Sequence, residues 1–131
     1  MKKTLLLHPD ISRVVASMGH TDRLVIADAG LPIPPAVERI DLAVSEGVPG
    51  FVETLAAVLS ELKVEQVLVA AEMRRASPAV YSAIEAMLPG IPMREVPHDV
   101  FKAETRSARA VIRTGEFSPY ANIILCSGVV F

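Results

Sequence analysis

Residues 51–71, FVETLAAVLSELKVEQVLVAA, contain the change of rhythm that decides the fold. Phe51, Val52, Leu55, Val58, Leu59 and Leu62 recur at the spacing of one helical face, so the first part predicts an amphipathic helix. From Gln66 to Ala71 the pattern becomes a short continuous apolar run, which predicts a buried strand. A helix that leads directly into a buried strand is the repeating unit of a layered α/β domain.

The same alternation continues on both sides. Towards the N-terminus, Leu5 to Leu7 predicts a first strand, and Asp10 an N-cap for a helix carrying Ile11, Val14, Val15 and Met18 and closed by Gly19. Arg23 to Ala27 reads as an apolar strand ending at Asp28, and Ala29 to Pro35, with Gly30 and three prolines, as a stiff loop. Arg39 to Val44 reads as a strand, followed by a turn holding Gly47, Pro49 and Gly50. Beyond the central stretch, Ser77-Pro78 is an N-cap followed by proline at the first helical position, with Val80, Tyr81, Ile84, Met87 and Leu88 as the apolar stripe. Met93 to Val96, Arg109 to Arg113 and Asn122 to Val130 are strands, and Asp99 to Thr105 is a short helix. The expected fold is α/β: a single layered domain over 1–131, with a mixed, largely parallel sheet flanked by helices.

Apolar residues make up 51% of the 131, a high share for a chain whose longest apolar runs fall far short of the ~18 residues of a membrane span. Either nearly every element is internal or part of the surface is buried against other subunits, and both together are expected. The opening MKKTLLL stops at His8-Pro9-Asp10 with no small-residue cleavage site after it, so a signal peptide is not expected, and the protein is expected in the cytoplasm. The lone Cys126 lies in an apolar run and reads as a small core residue. A net charge of -2, with Lys2-Lys3 and Arg74-Arg75 as the only basic pairs, is no footprint for nucleic acid. A small-molecule partner remains.

Polar residues at strand ends are the candidates for chemistry, because open α/β sheets bind ligands there. His20, in Gly19-His20-Thr21-Asp22, either answers a helix dipole or handles a proton. Asp28 either caps the loop after it or touches a ligand. In Pro97-His98-Asp99, Asp99 is explained as an N-cap while His98 is not, and Lys102 shares a helical face with His98 unless it is simply solvated. Tyr120 and Asn122 fall on one face of an incoming strand, as ligand contacts or as packing and turn residues. His8, His20 and His98 are scattered and no Cys-x-x-Cys occurs, so no metal site is expected. Phosphate-loop patterns and Gly-x-Ser-x-Gly are missing too.

In order and spacing, the chain resembles the D-ribose pyranase family over nearly its whole length. The matching stretches include Asp10-Ile11-Ser12, Gly19 to Asp22, Asp28 to Pro34, Arg39-Ile40-Asp41, Gly47-Val48-Pro49, His98 with Phe101-Lys102, and Arg113 to Glu116 leading into Ser118 to Leu125. The related fucose mutarotases share the outline but differ in the loop after the aspartate and around the tyrosine. The resemblance implies a cofactor-free isomerase that interconverts the pyranose and furanose forms of D-ribose. Its alternatives are a fucose-type mutarotase and a non-enzymatic ribose-binding accessory of sugar uptake. It implies His20 as proton donor, with Asp28, His98, Tyr120, Ala121, Asn122 and Lys102 as sugar contacts. It also implies a homo-oligomer of pentameric rings stacked as a decamer, with sites near subunit boundaries.

Overall fold

Strand β1 (Arg23–Ala27) sends Leu24 and Ile26 to one face of a sheet and Val25 and Ala27 to the other, and all four are fully buried. Successive side chains of a strand point to opposite faces, so burial of both sets requires cover on both sides. The computed structural model, which describes residues 1–131, shows that cover. The other strands are β2 (Glu38–Asp41), β3 (Val64–Ala70), β4 (Met93–Val96), β5 (Ala110–Arg113) and β6 (Ile123–Ser127). They form one six-stranded sheet in the order β2-β5-β1-β6-β3-β4. Every neighbouring pair is parallel except the two that involve β6, which runs against both β1 and β3. The sheet is therefore mixed and largely parallel, as the alternation predicts.

One face is covered by helices α1 (Pro9–Ser17), α2 (Phe51–Leu59) and α4 (Pro78–Met87), which deliver Ile11, Val14, Phe51, Leu55, Val58 and Ile84 to the larger core. The other face has thinner cover, from α5 (His98–Glu104) and the proline-rich loop. Phe101 of α5 is fully buried there, beside Leu31 and Val37 of the loop, and burial of such a side chain contributes about 1.5–3 kcal/mol. Cys126 is free and buried in this second core.

Several boundaries differ from the sequence expectation, each for a local reason. Leu5 to Leu7 is not a strand: only Leu6 is buried, and it packs into the helical layer outside the sheet. The N-cap of α1 is His8, whose Nδ1 accepts the Ile11 amide at 3.4 Å, so Asp10 falls in the first turn. That helix stops at Met18, one residue before Gly19. Strand β2 ends at Asp41, whose carboxylate accepts the Ala43 amide at 3.1 Å and turns the chain. A short helix α3 (Met73–Ala76) precedes α4, and Ser77 is the N-cap of α4 with Pro78 after it, as expected, although its hydroxyl donates to the Pro119 carbonyl at 2.6 Å and not to the helix. Pro97 is the N-cap of α5, and Asp99 lies in its first turn. Strand β6 ends at Ser127, and beyond it Gly128 donates its amide to the Lys63 carbonyl.

Candidate active site

The antiparallel β6 places its own start beside the carboxyl ends of β1 and β3. Five strand ends and one strand beginning therefore share an edge, and polar groups separated by almost the whole sequence meet there. Asp28 follows β1, Glu72 follows β3, His98 follows β4, Arg113 ends β5, and Tyr120 to Asn122 precede β6.

Asn122 is completely buried, and both polar atoms of its side-chain amide bond to Asp28. Its Oδ1 accepts the Asp28 amide and its Nδ2 donates to Asp28 Oδ2, both at 2.8 Å. The Gly30 amide donates to Asp28 Oδ1 at 2.9 Å. Each carboxylate oxygen still has acceptor capacity, and the half-buried Asp28 directs it into a cleft of about 400 Å³. Residues 28–30, Arg113 and residues 116–119 line that cleft. The Asn122 side chain thus holds Asp28 instead of facing the cleft itself, and the Ala121 methyl lies in the larger core.

Tyr120 follows Pro119 of the cleft wall and packs against His98. Its φ is 61°, a left-handed conformation that costs a bulky residue about 1–2 kcal/mol. The His98 ring meets the Tyr120 ring edge-on at 5.0 Å between centroids and stacks against Phe101 at 6.3 Å. Both carboxylate oxygens of Glu72 accept the His98 amide at 3.1 Å, which fixes the start of α5. His98 Nδ1 is buried with no partner in the chain, a polar atom whose burial is costly until something pairs with it. Lys102 pairs with Asp99 at 2.8 Å and lines a separate groove against Pro32 to Pro35.

The wall formed by residues 116–119 is tied down from several sides. Glu116 accepts the amides of Phe51 at 3.1 Å and Ser118 at 3.0 Å. Burial pushes the Glu116 carboxyl up, but these amide hydrogen bonds outweigh it and leave it below its ordinary range. Arg113 donates Nε to the Ala29 carbonyl at 2.9 Å and clamps both Asp41 oxygens at 3.1 and 3.2 Å.

His20 is not among these groups. It precedes β1, so it lies at the opposite edge of the sheet from Asp28, and a five-residue strand spans about 17 Å. Its Nε2 contacts Glu65 Oε2 at 2.8 Å, and it borders a groove of about 500 Å³ with Met18, Val130 and Phe131. Thr21 has φ 69° and donates its amide to the Ser127 carbonyl at 2.9 Å. Asp22 accepts the Gly19 amide at 2.9 Å and pairs with Arg109 at 3.0 Å. The Arg109 hydrogen bond, then the Gly19 amide, hold the Asp22 carboxyl below its ordinary range.

Glu65, Glu72, Arg113 and Glu116 are absent from the sequence-derived site. Of these only Glu116 carried a usable signal, an acid in a Gly- and Pro-bounded turn beside Tyr120.

An α/β layer that gathers acid, imidazole and phenol groups at the carboxyl edge of its strands defines a protein built to hold a small polar ligand there. Residues 1–130 match the RbsD / FucU transport protein family, and the chain belongs to that family. D-ribose pyranase of Coprothermobacter proteolyticus is 53% identical over 131 residues, 100% of both chains. Bacillus subtilis RbsD complexed with D-ribose has the same fold, with a TM-score of 0.97 and 44% identity over 100% of each chain. The fucose mutarotase of Streptococcus pneumoniae, in complex with L-fucose, gives a TM-score of 0.85 at 26% identity, again over 100% of each chain.

Proposed function

We propose that this chain is a cytoplasmic isomerase with D-ribose pyranase activity, interconverting the β-pyranose and β-furanose forms of D-ribose. The observation that carries the substrate is the full-length likeness to RbsD complexed with D-ribose, at a TM-score of 0.97. The free, buried Cys126 is compatible with a reducing compartment.

In this reading Asp28 accepts sugar hydroxyls with the lone pairs left over from Asn122 and Gly30. His98 Nδ1 takes a further hydroxyl, Tyr120 covers an apolar sugar face, and Tyr120 to Asn122 otherwise contribute through backbone. Lys102 reaches the sugar only by leaving Asp99. His20 carries the proton. It removes the hydrogen of the anomeric hydroxyl and delivers a proton to the ring oxygen, so the C1–O5 bond breaks as the C1 carbonyl forms. Closure reverses the traffic: O4 attacks C1, the O4 proton leaves and the carbonyl oxygen regains one. Imidazole suits both directions because its ordinary titration range lies nearest neutrality.

Because His20 and Asp28 lie at opposite edges of one sheet, the reading requires His20 from a second copy to complete each cleft. Exposed apolar side chains flank both halves: Val44, Val48 and Phe117 near the Asp28 edge, Val129, Val130 and Phe131 near His20. One edge meeting the other is a head-to-tail contact, which closes into a ring when the rotation permits. Pentameric rings stacked as a decamer are the assembly proposed.

Saturation-transfer NMR on ribose tests the reading. His20→Ala should abolish pyranose–furanose exchange while ribose still binds; wild-type exchange in that variant refutes it. Measuring anomer exchange on ribose and L-fucose as well separates a pyranase from a mutarotase, and the absence of any acceleration would indicate a sugar-binding accessory.

A further inference from the structure

Two departures from regular backbone and one close approach surround the His20–Glu65 pair. Strand β3 pairs Val64 with Ser127 but Gln66 with Cys126, so Glu65 is the extra residue of a bulge. A bulge re-aims a side chain out of the strand's alternation. Here the carboxylate lies 2.8 Å from His20 Nε2. Opposite the bulge stands Gly128, where a methyl group would lie 3.1 Å from Glu65 Cβ, so glycine leaves the carboxylate stem its room. On the third side Thr21, a β-branched residue at φ 69°, is tied by its amide to the Ser127 carbonyl, next to Gly128. Contacts between exposed partners contribute little to stability, and both side chains here are substantially exposed. Their stability does not account for the strained backbone around them.

We infer that Glu65 is a positioning residue for His20: it accepts the Nε2 hydrogen, holds the ring in one tautomer and leaves Nδ1 to exchange protons with the sugar. This rests on the reading of His20 as proton carrier. Which ring nitrogen bears the hydrogen is set by the hydrogen bond the other atoms offer, and a carboxylate accepts only. Nε2 thus keeps its proton through the cycle. The protein moves the substrate's protons through Nδ1 alone, first accepting from the anomeric hydroxyl and then donating to the ring oxygen.

The test combines exchange kinetics with long-range ¹H–¹⁵N spectra of the histidine rings, on the assembled protein. Wild type should show His20 as the Nε2–H tautomer. Glu65→Ala should mix the tautomers and slow pyranose–furanose exchange at least ~10-fold, within the ~10²–10⁴-fold that a positioned acid–base group supplies. Ribose affinity should be unchanged. Glu65→Gln, whose carbonyl can still accept from Nε2, should recover most of the tautomer preference and most of the rate. A dominant Nδ1–H tautomer in wild type overturns the inference. So does a slow Glu65→Ala with unaltered ring spectra, or a Glu65→Ala with wild-type exchange while His20→Ala is inactive. Wild-type exchange in His20→Ala instead refutes the proton-carrier reading itself, and the role of Glu65 falls with it.

Discussion

Asn122 and Asp28 are joined twice, amide oxygen to backbone amide and amide nitrogen to carboxylate, each at 2.8 Å, across the junction of β1 and β6. The pairing leaves Asp28 one orientation. Truncation to Asn122→Ala removes a hydrogen bond to a charged group, worth about 1.5–3 kcal/mol, so ribose affinity should fall roughly 10- to 100-fold. Asn122→Asp, with the same shape but a like charge beside Asp28, should bind more weakly still. Isothermal titration with ribose reads both, and unchanged affinity in Asn122→Ala would show that Asp28 needs no partner.

Thr21 adopts φ 69° without the freedom of glycine. Asparagine tolerates the left-handed region much better than a β-branched residue. Thr21→Asn should therefore raise the free energy of unfolding by about 1 kcal/mol. Denaturant titration with an unchanged slope would verify it.

Gly115 sits beneath the turn of residues 43–50. A methyl group there would lie 2.5 Å from the Val48 carbonyl oxygen and 2.7 Å from its amide nitrogen, and nearer still to the Ser45 carbonyl. Backbone cannot swing aside as a side chain can, so Gly115→Ala should destabilise by about 1–3 kcal/mol. The displaced turn should also weaken ribose binding, since residues 116–119 line the cleft. Chemical unfolding and titration check the two effects separately.

Asp22 and Glu116 both titrate below their ordinary ranges in the folded chain. A carboxyl depressed on folding contributes stability above its unfolded pKa, about 4 for these groups, and loses it as pH falls through the folded value. Thermal melts should therefore owe no change to these groups between pH 7 and about pH 5, and should fall below about pH 4. Asp22→Asn and Glu116→Gln should each show a shallower acid limb. A limb as steep as wild type in both would remove these carboxyls from the account.

The strands were readable where local pattern alone specifies them. Arg23–Ala27 and Met93–Val96 match their expected bounds, since turn residues punctuate both. Leu5 to Leu7 misled because three leucines look alike in a strand and in a segment lying over helices. The candidate residues were found by their places at strand ends, which is a local property. Their roles depend on what lies across the sheet. Asn122 is a hydroxyl binder on paper until the register of Ile26 opposite Ile123 brings it beside Asp28. His20 and Asp28, eight residues apart in sequence, look like neighbours until the intervening strand is drawn straight. Glu65 needed a bulge, which no periodicity announces.

That straight strand has a genetic consequence. With a proton carrier at one edge and a sugar clasp at the other, as proposed, each subunit is a donor of one half and a recipient of the other. Two alleles that are each inactive alone, His20→Ala and Asp28→Asn, should then complement when co-expressed. In randomly mixed rings about one junction in four pairs an intact half from each parent. Dilution to isolated subunits should silence the wild type with no loss of fold.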